Sequence, residues 1–135
     1  MRSRSGVHQW RVLVVDDNML FRTGLRSLLS TELGWDVVGG AEHGREALDL
    51  CRQLQPDLVL MDVSMPILGG IPATAAIKRT WPAIRVILMS ADPDEAAQRA
   101  ATDVGADGFV VKVVNAAEFL AAIQTLVEGW RAPEE

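Results

Sequence analysis

The sequence is poor in the residues that form redox and metal sites through sulfur and imidazole. Cys51 is the only cysteine, so an intrachain disulfide and a multi-cysteine metal site are excluded. Leucines at positions 50 and 54 lie close to it and predict a buried, unreactive thiol. His8 and His43 have no second ligand at the spacing of a recognisable metal motif, which favours solvated surface side chains.

Positive charge and long apolar runs are also scarce. The chain has 13 Lys and Arg against 18 Asp and Glu, for a formal net charge of −5, whereas nucleic-acid surfaces need clustered cations. No apolar run has the length of a membrane span, and no apolar signal core follows the N-terminus. We therefore predict a soluble, cytoplasmic protein that binds neither nucleic acid nor membranes directly.

The sequence does contain a regular alternation of short β-branched runs and longer amphipathic segments. The short runs predict strands at 11–15, 36–39, 57–61, 84–89 and 108–111. The longer segments predict helices at 19–33, 44–55, 70–80, 94–104 and 116–128. Three of the strands are almost continuously apolar, which is typical of a parallel sheet covered by helices on both faces. This pattern predicts a doubly wound α/β sandwich of three layers, formed by one domain at residues 10–130 with flexible ends at 1–9 and 131–135.

Two helices show further local patterns. Apolar or small residues share one face of the first helix, which we predict to pack on the sheet; they are Leu20, Gly24, Leu25, Leu28 and Leu29. Asn115 precedes the last helix, with Glu118 three residues later. That spacing predicts an N-cap at Asn115 and a helix that begins near Ala116.

Polar side chains follow four of the predicted strands, at the point where each strand ends. They are Asp16, Asp17, Asp62, Ser90 and Lys112. Because ligands of doubly wound sheets bind beyond the carboxyl ends of the strands, we expect these side chains around one pocket. Three clustered carboxylates repel one another unless a proton or cation compensates, and their oxygens suit Mg²⁺ or Mn²⁺. Such a pocket can form an aspartyl-phosphate, with Lys112 neutralising the phosphoryl oxygens.

Four sequence segments carry a family resemblance. They are VVDD at 14–17, LVLMDVSMP at 58–66, ILMSA at 87–91 and GADGFVVK at 105–112. Together they resemble the receiver domain of two-component response regulators, over about residues 12–128. The segments NMLFRTGLRSLL at 18–29 and VVG at 37–39 are most similar to the NarL/FixJ branch. The resemblance implies a flavodoxin/CheY-like fold with five helices and a five-stranded parallel sheet in the order 2-1-3-4-5.

The resemblance also implies a role for each residue of the pocket. Asp62 becomes the phosphoacceptor, Asp17 a direct metal ligand, and Asp16 an acid that acts largely through metal-bound water. The backbone carbonyl of Ser64 completes the protein ligands of a Mg²⁺ or Mn²⁺ ion. Lys112 becomes the phosphate-binding lysine.

A switch and its partners follow from the same resemblance. Ser90 becomes the switch hydroxyl, and Phe109 the aromatic ring that turns inward when that hydroxyl moves toward the phosphate. The implied phosphoryl donor is a sensor histidine kinase. Phosphorylation is expected to permit homodimerisation through the fourth helix, fifth strand and fifth helix, and the usual output is a DNA-binding domain. The chain is thus expected to be a phosphoacceptor switch rather than an enzyme.

Some positions depart from the family pattern. Val113 replaces the proline that usually follows the lysine in a cis peptide, so a cis bond is not assumed there. Phe109 has no phenol hydroxyl. Asp92 lies near the predicted pocket, and we hypothesise that Asp92 and Ser64 tune the attack of water on the phosphoryl group.

Three other functions remain as alternatives. A phosphohydrolase of the haloacid-dehalogenase type needs a second acid two residues after its nucleophile, where this chain has Ser64. A pseudo-receiver signals without phosphorylation and does not need the intact set of pocket residues. A nucleotide-binding domain of the same fold class has a glycine-rich phosphate loop after the first strand, which is lacking here.

Overall fold

Strands and helices alternate along the chain in the computed structural model, which describes residues 9–113 and 115–130. The strands are β1 (Arg11–Val15), β2 (Asp36–Ala41), β3 (Leu58–Asp62), β4 (Arg85–Ser90) and β5 (Gly108–Val111). The helices are α1 (Met19–Leu33), α2 (Gly44–Leu54), α3 (Gly70–Thr80), α4 (Glu95–Asp103) and α5 (Ala116–Glu128). The strands form one parallel sheet in the order β2-β1-β3-β4-β5. The predicted fold class and strand order are therefore confirmed.

Alternate residues of each strand point to opposite faces of the sheet, and each face has its own core. The first core lies under α1 and α5 and takes from these helices Leu25, Leu29, Phe119, Leu120, Ile123 and Val127. The second core lies under α2, α3 and α4 and takes from them Ala47, Cys51, Ala73, Ile77 and Ala101. Because both faces are covered, the central strands are buried along almost their whole length. No described helix has the length and hydropathy needed to cross a bilayer.

Cys51 lies in the second core and is fully buried. Burial raises the pKa of its thiol to about 12, because the charged thiolate is poorly solvated away from water. The thiolate is the nucleophilic form, so the folded chain keeps this side chain unreactive at neutral pH. The prediction of a buried cysteine is confirmed.

The prediction that the leucine face of α1 packs on the sheet is confirmed for three of its four leucines and wrong for Leu20. Leu25 and Leu29 are buried and Leu28 is partly buried against the first core, but Leu20 is 82% exposed. Gly24 is exposed as well. The contact of α1 with the sheet is narrower than the apolar stripe, and Leu20 and Gly24 instead line a groove between α1 and the start of α5, beside Val113.

Two of the side chains that cap helices bear on predictions made from the sequence. Asn115 accepts a hydrogen bond from the amide of Glu118 at 3.2 Å, which confirms the predicted N-cap of α5. His43 is half-buried and caps α2 by accepting from the amide of Glu46 at 3.2 Å. The prediction of a solvated surface side chain is thus wrong for His43, because its imidazole nitrogen takes the place of the usual capping oxygen. His8 lies outside the described residues.

Two tryptophans meet at the amino-terminal edge of the sheet. Trp10 directly precedes β1 and packs edge to face on Trp130, with ring centroids 6.0 Å apart. The guanidinium of Arg85, the first residue of β4, lies 5.2 Å from the Trp130 ring. The predicted flexible ends lie outside the described residues except for Gln9, whose side-chain amide donates to the carbonyl of Gly34 at 3.0 Å.

Candidate functional site

Asp16 and Asp17 lie directly after β1, and Asp16 organises the loop that leads to α1. The Asp16 amide donates to the carbonyl of Ala41 at 3.0 Å, which continues the sheet past β1. Asp16 Oδ1 accepts from the amide of Asn18 at 2.9 Å, and Asn18 Oδ1 accepts from the amide of Phe21 at 3.0 Å. These hydrogen bonds leave the Asp16 side chain buried and Asp17 open to solvent.

Asp62 ends β3 at the same edge of the sheet and is 7% exposed. One carboxylate oxygen from each of Asp16, Asp17 and Asp62 lies within 4.8 Å of the other two. Burial, followed by the charge of Asp16, raises the pKa of the Asp62 carboxyl above its ordinary value, and Lys112 opposes the rise. The pocket therefore carries negative charge that a bound cation would relieve.

Lys112 follows β5, and its ammonium lies against two of these carboxylates. Its Nζ is 2.5 Å from Asp16 Oδ2 and 3.4 Å from Asp62 Oδ1. The same atom lies 4.2 Å from the centroid of the Phe21 ring, a cation–π contact. The side chain is 18% exposed, and in such partly buried surroundings a positive charge attracts nearby oxygens more strongly than it would in water.

The hydroxyl predicted to act as a switch lies at the end of β4. Ser90 Oγ donates to the carbonyl of Asp92 at 2.9 Å and accepts from the Asp92 amide at 3.2 Å, so it stabilises the turn after the strand. The Lys112 amide donates to the Ser90 carbonyl at 2.7 Å, which ties the ends of β4 and β5 together. Phe109 is half-buried in β5, opposite Leu88 of β4, and packs against the second core.

A family model described as the response regulator receiver domain matches residues 12–124 of this chain. The chain belongs to this family. Receiver domains are phosphoacceptor switches rather than enzymes in the usual sense, and they bind Mg²⁺ at an acidic pocket. Because the chain belongs to the receiver family, the phosphohydrolase and nucleotide-binding alternatives no longer apply.

The chain is similar to proteins that are named response regulators. It is 40% identical over 121 residues to the response regulator GacA of Pseudomonas viridiflava, a match that covers 90% of this chain and 56% of the relative. The chain thus spans about half the length of the curated relatives it matches. The signal receiver domain of a putative NarL from Mycobacterium tuberculosis is 35% identical with a TM-score of 0.81, covering 91% of this chain and 99% of that one. A LuxR-family response regulator from Aurantimonas sp. SI85-9A1 gives 35% identity and a TM-score of 0.82, covering 93% and 89%. The resemblance to the NarL/FixJ branch is confirmed.

The pocket of this receiver fits a divalent cation. Asp16, Asp17 and Asp62 offer oxygen ligands alone, which is the donor set of Mg²⁺ and Mn²⁺. The pKa of Asp62 is raised first by burial and then by the charge of Asp16, and Lys112 opposes the rise. Ser64 is exposed in the segment between β3 and α3, and the role of its carbonyl as a ligand stays a prediction. The hypothesis that Asp92 and Ser64 tune water attack also stays a prediction.

The receiver brings α3 into contact with the backbone of Asp62. Gly70 is the first residue of α3, and a Cβ built on it would lie 2.1 Å from the Asp62 carbonyl oxygen and 3.0 Å from Val63 Cα. The Gly70 amide donates to the carbonyl of Val63 at 2.9 Å. Glycine therefore allows α3 to pack directly against the end of β3. The sequence pattern did not predict this contact.

Two further receiver residues escaped sequence analysis. Phe21 contacts Lys112 and packs edge to face on Phe119, with centroids 5.8 Å apart. Arg22 donates to the carbonyl of Asp16. Both residues belong to α1 and contact residues of the pocket. The sequence pattern predicted a helix here but gave no sign of these contacts. The Lys112–Val113 peptide bond is trans, and Val113 is 41% exposed.

Proposed function

We propose that this receiver accepts a phosphoryl group on Asp62 from the phosphohistidine of a sensor histidine kinase. The observation that carries the proposal is the placement of Asp62, buried at the end of β3 beside two further carboxylates and Lys112. Asp17, Asp62, Asp16 and the carbonyl of Ser64 would hold a Mg²⁺ or Mn²⁺ ion. We place the reaction in the cytoplasm, where histidine kinases draw their phosphoryl group from ATP.

In this reaction an Asp62 carboxylate oxygen attacks the phosphorus, and the phosphorus–nitrogen bond to the donor histidine breaks. The histidine keeps the electron pair of that bond and leaves as a neutral imidazole after taking up a proton. Lys112 neutralises the phosphoryl oxygens, since its ammonium already lies 3.4 Å from Asp62 Oδ1. A cation held by Asp16, Asp17 and Asp62 would supply further charge compensation. Asp16 holds the ammonium in place through its 2.5 Å contact.

Intact-mass measurement tests the acceptor. The 135-residue chain is incubated with a small-molecule phosphoryl donor, with and without Mg²⁺, beside an Asp62→Asn variant. We expect a metal-dependent phosphoryl adduct on the wild type and none on the variant. The raised pKa of Asp62 means that its ionised form destabilises the metal-free fold once pH exceeds the unfolded-state pKa. The uncharged variant should therefore melt no lower than the wild type without metal.

Either of two results would contradict this assignment. An equal adduct on Asp62→Asn would place the phosphoryl group elsewhere. A wild type that binds no Mg²⁺ and forms no adduct, with the small donor or with autophosphorylated kinases, would favour the pseudo-receiver.

We propose that the phosphoryl group is read out through β4 and β5. Ser90 would exchange its hydrogen bonds to the Asp92 backbone for one to the phosphoryl group, and Phe109 would turn into the space released. The surface of α4, β5 and α5 would change and form a homodimer, which sedimentation of the phosphorylated sample measures. Since the match covers only 56% of such a relative, a DNA-binding output joined to a receiver at residues 10–130 is part of the same proposal.

Four exposed hydrophobic side chains, called the apolar rim below, support the proposal that the phosphoryl donor is a protein. The large hydrophobic side chains that are exposed, among the residues described, all lie near the pocket in the chain; they are Met19, Leu20, Ile67 and Val113. Ile67 has φ of 68°, a left-handed conformation that is strained for a β-branched residue. Exposed apolar side chains that lie close in sequence to the pocket residues are suited to contact a protein, and the donor histidine must reach this pocket.

The rim predicts a difference between protein and small-molecule donors. Leu20→Ala should slow transfer from autophosphorylated histidine kinases roughly tenfold, the effect of losing a contact of about 1–2 kcal/mol. The same variant should react with a small-molecule donor at the wild-type rate. Transfer is profiled over a panel of kinases, with Arg99→Ala on the exposed face of α4 as the control. Equal rates for Leu20→Ala and the wild type with every kinase that reacts would remove Leu20 from the donor surface.

A further inference from the structure

Arg22 reaches from α1 to the main chain of the acidic loop. Its Nη1 donates to the carbonyl of Asp16 at 2.6 Å, and its Nη2 lies 3.7 Å from a carboxylate oxygen of Glu42. The Arg22 side chain is 12% exposed, whereas that of Glu42 is 66% exposed. The contact of Arg22 with Asp16 is therefore the one that is shielded from water.

The position of the Arg22 guanidinium is unfavourable in itself, so another interaction must stabilise it. Arg22 is the fourth residue of α1, and a positive charge near the amino end of a helix is opposed by the helix dipole. Burial of most of the guanidinium adds a desolvation cost. Both costs are offset only if the hydrogen bond to Asp16 is strong, and bonds from a charged donor are.

The neighbouring strand leaves room for the arginine. A Cβ built on Gly40 of β2 would lie 3.4 Å from Arg22 Cδ and 2.8 Å from an Arg26 guanidinium nitrogen. Alanine at position 40 would thus crowd the Arg26 guanidinium, whereas its distance to Arg22 Cδ would be that of an ordinary contact. The Arg22 side chain therefore lies beside Gly40 of β2 and reaches the Asp16 carbonyl.

The loop held by Arg22 carries both acids of the site that precede α1. Asp16 touches Lys112 at 2.5 Å and fixes Asn18 through its other oxygen, so the position of its main chain sets the position of its carboxylate. Asp17 follows in the same loop and offers an oxygen to the cation site. A shift of the Asp16 carbonyl would move both carboxylates relative to Asp62.

We propose that Arg22 is a positioning residue for the divalent cation site, acting through the Asp16 carbonyl. The proposal rests on the function proposed above. The guanidinium is a planar donor with fixed N–H directions that reaches the Asp16 carbonyl, whereas a lysine ammonium is a flexible point charge and does not reproduce this geometry. Groups that orient metal ligands from outside typically change metal affinity by about 10–100-fold when removed.

The test measures Mg²⁺ affinity by calorimetry on the full chain, together with amide hydrogen exchange at Asp17 and Asn18 in the metal-free protein. Arg22→Met should raise the Kd for Mg²⁺ about tenfold and speed exchange at both amides. Arg22→Lys should recover only part of the affinity. Two controls should stay within about twofold of the wild type: Glu42→Gln, which removes the exposed ion pair, and Arg26→Met, which removes the neighbouring cation.

The outcomes separate a positioning role from a merely structural one. A variant Arg22→Met that melts at a lower temperature but binds Mg²⁺ as the wild type does, with unchanged exchange in the loop, would overturn the inference. An affinity loss of equal size in Arg26→Met would also overturn it, because the loss would then not depend on the hydrogen bond from Arg22 to the Asp16 carbonyl. A wild type that binds no Mg²⁺ and accepts no phosphoryl group would instead refute the proposed function, and this inference with it.

Discussion

Replacing Lys112 with methionine is expected to slow phosphorylation of Asp62 by a small-molecule donor about 100-fold, the usual effect of removing one group that stabilises transition-state charge. The ammonium lies 3.4 Å from Asp62 Oδ1 and is mostly shielded from water, so solvent does not replace it. Methionine keeps the apolar stem of the side chain against the Phe21 ring. The rate is measured from the growth of the phosphoryl adduct at saturating Mg²⁺.

The same variant separates binding from chemistry. Without its ammonium the pocket carries one more net negative charge, so the Kd for Mg²⁺ should fall or stay constant while the transfer rate drops. Lys78→Met is the matched control, because Lys78 bonds Asp107 and the carbonyls of Pro82 and Ile84, away from the three pocket carboxylates. Loss of Mg²⁺ binding in Lys112→Met, in step with the rate, would show that Lys112 supports the site rather than the reaction.

Gly70→Ala is expected to lower the free energy of unfolding by about 3 kcal/mol, at the upper end of the range for overpacking. The added methyl would lie 2.1 Å from the Asp62 carbonyl oxygen and 2.9 Å from its carbonyl carbon. Backbone atoms cannot rotate away as a side chain does, so α3 or the end of β3 must move. Since Asp62 is that end, phosphorylation should slow as well. Urea unfolding and the adduct assay measure the two effects.

The adjacent glycine provides the control for this variant. Gly69 has φ of −70° and ψ of 168°, which alanine adopts readily, and the nearest atom to its added Cβ is 3.4 Å away. Gly69→Ala should therefore cost less than about 1 kcal/mol. Equal losses in Gly69→Ala and Gly70→Ala would show that the close approach of α3 to Asp62 is not the cause.

The sequence predicted the fold well because strand and helix periodicity is a local signal. The apolar runs that end at Val15, Met61 and Val111 identified three of the strands, and the rule for parallel sheets then placed the polar residues after them at one edge of the sheet. Register did not need to be known for this step. The three carboxylates and Lys112 lie together as expected.

Contacts between distant segments were beyond the reach of the sequence. The contact of Phe21 with Lys112 and the packing of Gly70 on Asp62 depend on how helices sit against the sheet, and residue type alone does not encode that. Leu20 shows a different error. It was assigned to the core because it lies on an apolar helix face, and it is instead exposed. These departures concentrate around the pocket, where local rules are most often broken for function.

The Trp10–Trp130 contact and the acidic pocket lie at opposite ends of the central strands. Each end is called a pole below. The two tryptophans bring the start and the finish of the described chain together at one pole, and the three carboxylates lie at the other. The distance between poles is the length of a central strand, about 17 Å for the six residues of β4. A fluorophore attached at Gln9 would thus stand away from the acidic pocket. A change in the pocket can reach it only through the strands and helices between them.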